Sequence, residues 1–455
     1  MKLWLARMWD ALRGTFWFLP TLMVMASVAL SLGTIHLDKA TTDQNGLATL
    51  GWTFSRGPEG SRAVLATIAA SMMTIASVTF SITVVALQLA STQFGPRLLR
   101  NFMRDRGNQI AIGTFIATFT FCLLVLRTVN GTENDEFVPH FSVTVGLLLA
   151  LVSVAVLIFF IHHSAESIQA ENVIAAVSRD LHQAIDKLYP ERLGEEPPDA
   201  APSATNEDVE SAVEQDARSI TSLESDYLQA VDIDLLMRLA CEKDLVLSIP
   251  RRPGKFLFNG DALARAYPAR RADDALAERI RESFYLGPRR TLAQDVEFAI
   301  DQLVEVAVRA LSPGVNDPFT AINCIDRLGA ALCALAERVL PSPYRYDQEG
   351  KLRIITDAST VSGIVDATFD QIRQAARADT SVTLRLLETI AAVARHTRDA
   401  SFRKALRRQA EAIHRGSKQE LDDPSDSRDA NQRFDEVLEA LGDAQNDAPT
   451  TDSPP

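Results

Sequence analysis

Cysteine is scarce and poorly spaced for chemistry. Cys122, Cys241, Cys324 and Cys333 form no CxxC pair and sit in helix-period runs, which argues against a disulfide framework or zinc site and for burial as small apolar residues. Catalytic signatures are missing too. Without a GxSxG, HExxH, Walker or GxGxxG segment, the chain offers no visible nucleophile with its base, no metal cluster and no paired acids. We therefore expect no enzyme, no catalytic residue, no metal and no cofactor. Basic charge is in deficit: 46 Lys and Arg against 59 Asp and Glu give a formal net charge of −13, which argues against a nucleic-acid partner. It does not name a substrate.

Charge is also absent from four long runs, residues 14–37, 63–96, 109–126 and 141–165. Each can supply the ~20 apolar residues that cross a ~30 Å hydrocarbon core. We read four transmembrane helices within residues 1–162. The first is no cleaved signal peptide, because Trp17 and Pro20 interrupt it and SLGTIHLDKA is a poor cleavage site. Lys2, Arg7 and Arg13 precede the first span and Arg97, Arg100, Arg104 and Arg106 follow the second, whereas the loop from Asn130 to His140 is acidic. Both termini are expected in the cytoplasm.

Beyond the spans the expected order is a stalk helix over 163–192, a disordered acidic linker over 193–217, a small α/β module over 218–269, a helical domain with a hairpin over 270–415, and a flexible acidic tail over 416–455. The stalk follows from apolar residues at 174, 177, 181 and 185. The linker is rich in Pro, Ala and acids with little bulk to bury. In the module, DYLQAVD alternates like a strand, IDLLMRLACEKD has helical period, and Pro253-Gly254 and Asn259-Gly260 mark turns. Thr291 and Gln294 suggest a capping box opening a helix. The fold class is membrane α-helical: four transmembrane helices, then a mainly α cytosolic region containing the α/β module.

Several segments resemble a bacterial family of predicted membrane proteins, domain of unknown function 2254. They are STQFGPRLLRNFMRDRG, FFIHHSAESIQAENVI, RTLAQDVEFAI and above all RALSPGVNDPFTAINCIDRLG. The resemblance covers roughly residues 5 to 410. It implies an integral membrane protein and brings no catalytic residue, cofactor or substrate; with the four spans, we expect a multi-pass protein of the bacterial inner membrane.

Four groups of residues invite a function. Thr67, Ser71, Thr74, Ser77, Ser81, Gln88 and Thr92 share about a third of the second span's circumference. They either face a narrow aqueous path, where hydroxyls replace part of an ion's hydration shell, or let helices pack closely. Arg97, Arg100 and Arg104 share a face suited to anionic lipid or to ordinary anchoring. His162, His163 and Glu166 lie where the fourth span ends, with a His162–Glu166 hydrogen bond as the plain reading. Glu297, Asp301 and Glu305 read as a solvated face, with Arg309 partnering Glu305.

The stretch SPGVNDPFTA reads as a helix stop, a turn and a restart. Gly314 is expected to take the positive φ, and Asp317-Pro318 to cap and open the next helix. Asn316, Asp317, Thr320, Asn323 and Arg327 are then left as a ligand or interface pocket. Three classes of function survive: a homo-oligomeric channel-like protein with a cytosolic regulatory region, a membrane-anchored sensor or scaffold that binds a partner, and, last, an enzyme. The lipid bilayer and further copies of the chain are the expected partners; any small ligand or ion is unknown.

Overall fold

The computed structural model describes residues 17–42, 57–95, 105–132, 135–167, 169–189, 204–338 and 340–442. The chain divides into two compact units, Met1–Val173 and Ile174–Pro455.

The first unit is helical, with α1 (Phe18–Thr42), α2 (Pro58–Phe94), α3 (Arg106–Leu126), a hairpin of β1 (Asn130–Thr132) and β2 (Asp135–Phe137), and α4 (His140–Ser167). Helix α3 is central and packs against each of the other three. Small residues let the backbones approach. A Cβ on Gly113 would lie 2.6 Å from Met23 Sδ and one on Gly146 3.3 Å from Leu65. Leu65, Phe121, Cys122, Val125 and Val143 fill one part of the core, and Met72, Ala111, Phe115 and Phe160 another. Polar groups cross between helices as well. Ser27 donates to the Ala117 carbonyl at 2.6 Å, and Thr118 and Ser153 share a buried hydrogen bond of 3.1 Å.

Among the described residues, length and apolarity suit five helices to a bilayer, not four: Phe18–Ala40, Pro58–Gln93, Arg106–Leu126, His140–Ser167 and Pro318–Ala336. The protein is thus mainly helical with several apolar spans and a small sheet region.

The second unit takes α5 (Ala170–Leu188) from Ile174 onward, then α6 (Ala204–Asp216). Next come β3 (Arg218–Thr221), β4 (Asp226–Val231), α7 (Ile233–Lys243), β5 (Val246–Ile249), β6 (Phe256–Leu257), β7 (Ala262–Tyr267), α8 (Asp274–Arg281) and β8 (Phe284–Gly287). Helices α9 (Val296–Ala310) and α10 (Pro318–Ala336) lead to the hairpin of β9 (Tyr344–Tyr346) and β10 (Leu352–Thr356). The chain closes with α11 (Val361–Ala375), α12 (Thr380–His396), α13 (Ala400–Glu420) and α14 (Pro424–Gly442).

Two sheets result, β3-β7-β5-β10-β9 and β6-β4-β8. All pairs are antiparallel except β5 with β10, which run parallel. Their apolar faces enclose Leu228, Leu236, Leu247, Leu257, Leu263, Ile280 and Ile354. The helices α9 to α14 pack on one another as a layered bundle, and α10 lies within it against α9 and α12.

Several expectations change. The α/β module does not end at residue 269, because β8, from a stretch read as helical, and the expected hairpin of β9 and β10 complete its sheets. Of the expected linker, 204–216 is helix α6, and 193–203 lies outside the described residues. The tail contains α14, which packs on α12 and α13. Nor is the stalk a continuation of the fourth span: α4 ends at Ser167 and α5 starts at Ala170. Its apolar stripe, Ile174, Val177, Leu181 and Ile185, is buried, and Arg338 binds the α5 end through Asp186 (2.6 Å) and the Tyr189 carbonyl (3.0 Å).

Candidate functional site

The second span has two distinct faces. Leu65, Ala69, Met72, Ala76, Thr79, Thr83, Ala86 and Ala90 are buried against the unit. Thr67, Ser71, Thr74, Ser77, Ser81, Gln88 and Thr92 are exposed on the other side, offset by two residues and so by about 200°. The polar stripe therefore points away from the other described helices of the first unit. Thr67, Thr74, Ser77, Ser81 and Thr92 each donate to the carbonyl four residues back, at 2.7–3.2 Å. Their protons are spent on the helix, but their oxygens still face outward as acceptors. No side-chain partner is found for the Gln88 amide among the described residues.

The outward faces of α1 and α4 differ. They present Leu22, Met25, Leu30 and Leu32, and Leu148, Leu151, Val154, Ile158 and Ile161. Such aliphatic faces suit hydrocarbon. The early turns of α2 instead present hydroxyls and alanines, which suit a neighbouring helix or water.

At one end of the unit, His163 Nε2 lies 2.7 Å from Asp105 Oδ2, and Asp105 also caps α3 by accepting from Gly107 N at 2.8 Å. Gly107 is required, since a Cβ there would fall 2.4 Å from His163 Cδ2. His162 pairs with Glu166 at 3.2 Å, exposed to solvent. Nothing in the α3 run signalled the His163 contact, because its partner lies 58 residues away. The other end holds Asp38, buried, which accepts from Phe141 N (3.0 Å), Ser142 N (2.9 Å) and Ser142 Oγ (2.6 Å). A carboxylate of α1 thereby caps the positive N-terminus of α4. Asp38 sits one residue beyond the first uncharged run, which is why counting charges within runs overlooked it. Arg97, Arg100 and Arg104 lie outside the described residues.

In the second unit the SPGVNDPFTA corner forms as a stop, turn and restart, with a correction. Asn316, not Gly314, takes the positive φ, at 48°. Asparagine tolerates that region better than other side chains because its short amide bonds locally. Asp317 accepts from Thr320 N (3.1 Å) and Thr320 Oγ1 (2.5 Å), and donates its own N–H to the Ala310 carbonyl at 2.8 Å. Asp317 and Thr320 are thus occupied with each other. Asn323 is half-buried and Arg327 exposed, and the corner presents Val315 and Phe319 to solvent, Phe319 at 83%.

The acidic line on α9 is no solvated face. Glu297 is held by Arg252 at 2.6 Å and approached by Lys255 at 3.7 Å, and Asp301 binds Arg290 at 2.5 Å. Glu305 pairs with Arg309 at 3.8 Å. Asp295, not Thr291, caps α9, through Phe298 N at 3.1 Å, and takes a fork from Arg290 at 2.8 and 3.1 Å. Burial pushes the Asp295 carboxyl up, against the pull of Arg290 and the Phe298 N–H. The turn at Gly254, φ 94°, closes on this carboxylate, since a Cβ there would meet Asp295 Oδ2 at 2.1 Å. Gln294 bonds both the N–H (3.0 Å) and the carbonyl (3.1 Å) of Val231, tying the same segment to β4. RRPGKF and RTLAQDVEFAI are therefore two sides of one ionic seam.

Burial pushes the thiol of Cys324 well above its ordinary value, so it packs as an apolar group. Cys241, in contrast, is exposed.

Comparison with known proteins finds relatives along most of the chain. An uncharacterised protein of Mycobacterium tuberculosis and one of Mycobacterium bovis are each 34% identical over 427 residues, covering 92% of this chain and 79% of theirs. No solved structure matches. Residues 13–392 match the family described as predicted membrane protein of unknown function 2254, and the chain belongs to that family.

Proposed function

We propose that the protein is a homo-oligomeric, channel-like membrane protein of four spans, α1 to α4, in which the outward polar face of α2 from each copy lines or borders a shared axis. Carrying this reading is the row of outward hydroxyls on α2, set among exposed Met73, Val78, Phe80, Ile82, Val84, Val85 and Leu89, where the outer faces of α1 and α4 are mainly aliphatic. Groups such as the Gln88 amide cost several kcal/mol in hydrocarbon without a partner. A neighbouring subunit or a water column supplies one. The fifth apolar helix, α10, is read as part of the second unit's bundle, since its buried residues contact α9 and α12. In this reading the bacterial inner membrane holds the protein, both termini and the second unit lie in the cytoplasm, and the second unit regulates rather than catalyses.

Reconstitution tests it. Purified protein in liposomes is expected to assemble beyond the monomer and to pass small ions, and Ser77→Trp is expected to reduce the flux. A monomer with no flux under any gating condition defeats the proposal.

A second reading, a membrane-anchored sensor or scaffold, draws on exposed side chains of the second unit. Tyr227, Phe256 and Phe258 stack edge to face at 5.1 Å spacings, with Phe258 64% and nearby Leu223 63% exposed. Aromatic clusters of this kind are common at protein contacts. Crosslinking in cells from Phe258 that captures no reproducible partner counts against it.

A further inference from the structure

The end of α11, the start of α12 and the later turns of α13 line a cleft of about 250 Å³ that opens to solvent, where Arg377 and Arg415 are exposed. Three arginines line it, Arg373, Arg377 and Arg415, with Leu386 and Ile413 forming an apolar wall. This clustering is notable in a chain of net charge −13.

The three guanidinia are not neutralised alike. Arg373 is half-buried and fixed, with Nε 3.1 Å from Gln409 Oε1 and 3.3 Å from Asp370 Oδ1, and Nη2 3.0 Å from the same carboxylate oxygen. Gln409 is itself buried and held by Asp366 (2.7 Å) and Asp370 (2.9 Å), so Arg373 is oriented before any ligand arrives. Its Nη1 makes none of these bonds. Arg377 and Arg415 have no carboxylate partner among the described residues. The nearby hydroxyls do not compete for the role: Thr383 donates to the Ala376 carbonyl at 3.2 Å and Ser417 to the His414 carbonyl at 3.0 Å. The charged donors of the cavity are therefore the arginines, with the Gln419 amide beside them as a neutral one.

We propose that this cavity binds a small phosphate-bearing anion, its phosphate oxygens facing Arg373, Arg377 and Arg415 and its short carbon body lying on Leu386 and Ile413. Guanidinium is suited to this ligand because its planar fork matches phosphate bidentately, and chloride cannot use that geometry. Size points the same way, since pockets for drug-sized molecules run to roughly 300–1,000 Å³ and this one is smaller. One carboxylate, Asp370, against three guanidinia leaves the site positive.

Titration calorimetry on the full chain in detergent tests this, with glycerol 3-phosphate and inorganic pyrophosphate as probes against sodium chloride at matched ionic strength. Binding of at least one phosphate is expected, weakened about 100-fold by Arg377→Gln with Arg415→Gln, on the basis of about tenfold per lost charge-assisted contact. Lysine at both positions keeps the charge but loses the fork and is expected to weaken binding about tenfold. Arg238→Gln, an exposed arginine on α7, should leave binding unchanged. Nanodiscs with phosphatidic acid identify the source. If they compete with glycerol 3-phosphate at these arginines the ligand is a lipid headgroup, and if not it is a free phosphate. The proposal is overturned if neither probe binds better than chloride, or if the glutamine pair binds as the wild type does.

Discussion

The most quantitative consequence concerns Gly254 and Asp295. Gly254→Ala places a Cβ 2.1 Å from Asp295 Oδ2 and 2.6 Å from its Cγ, at a backbone φ of 94°. Two costs are thereby combined. The positive φ costs a non-glycine residue about 1–3 kcal/mol. The clash forces Asp295 out of its Arg290 fork, and breaking a buried pair costs about 3–5 kcal/mol. We expect the lower end, because Arg290 keeps Asp301. Asp295→Ala alone loses the same pair, plus about 1 kcal/mol of cap. In the double variant the clash has no object. Gly254→Ala should then cost only the backbone strain, giving a coupling of about 3 kcal/mol. Pulse proteolysis of the full chain in urea measures each arm of the cycle, and hydrogen exchange at Phe298, whose N–H Asp295 accepts, localises the effect. Costs that add to within about 0.5 kcal/mol would falsify the seam as described.

Three further outcomes follow from single sites. Asn316→Gly should leave stability near neutral and Asn316→Val should lower it by about 1–2 kcal/mol, because only the latter resists a φ of 48°; equal costs in denaturant unfolding would place Asn316 in a contact instead. Arg353 hydrogen-bonds Asp244 (2.8 Å) and Asp347 (2.7 Å), holding Asp244 down to about 2 and Asp347 below the usual carboxylate range. Both folded values lie below the unfolded one of about 4, so their stabilisation is complete above it and fades as pH falls toward 2. The stability gap between wild type and Arg353→Gln should accordingly stay level from about pH 7 to 5 and narrow below about 4, and a gap that widens in acid contradicts the assignment. Finally, Gly107→Ala should destabilise the first unit, by about 1 kcal/mol through the lost His163–Asp105 bond, yet be neutral or stabilising in a His163→Ala background, where helix propensity alone decides; the same sign in both backgrounds, read by thermal unfolding in detergent, refutes the contact.

What was legible in the sequence was mainly local. The spans appeared as uncharged runs, the corner as Pro, Gly and Asp-Pro, and the β9–β10 hairpin as YRYDQEGKLRIIT. Period showed which residues of α2 share a face, but not that this face points outward, which depends on what α3 and α4 cover. Long-range pairing was hidden for the same reason: β5 with β10, Asp38 with Ser142 and Asp105 with His163 join segments with no local signal of each other. Some local rules also competed. Thr291 and Gln294 satisfied a capping-box spacing, yet the buried Arg290 fork and the Val231 backbone claimed this segment, and the cap moved to Asp295. Gly314 was the obvious positive-φ residue, but the turn closes one step later, where Asn316 N reaches the Ser312 carbonyl at 2.9 Å.

The central claim is that the α2 polar face meets its counterpart in another copy. Disulfide crosslinking in native membranes tests it most directly, in a background where Cys122, Cys241, Cys324 and Cys333 are replaced by serine or alanine. Ser77→Cys and Ser81→Cys are predicted to give oxidant-dependent dimers, while Leu151→Cys and Ile158→Cys, on the aliphatic face of α4, give none. Equal crosslinking at both faces, or none at Ser77 and Ser81, contradicts it.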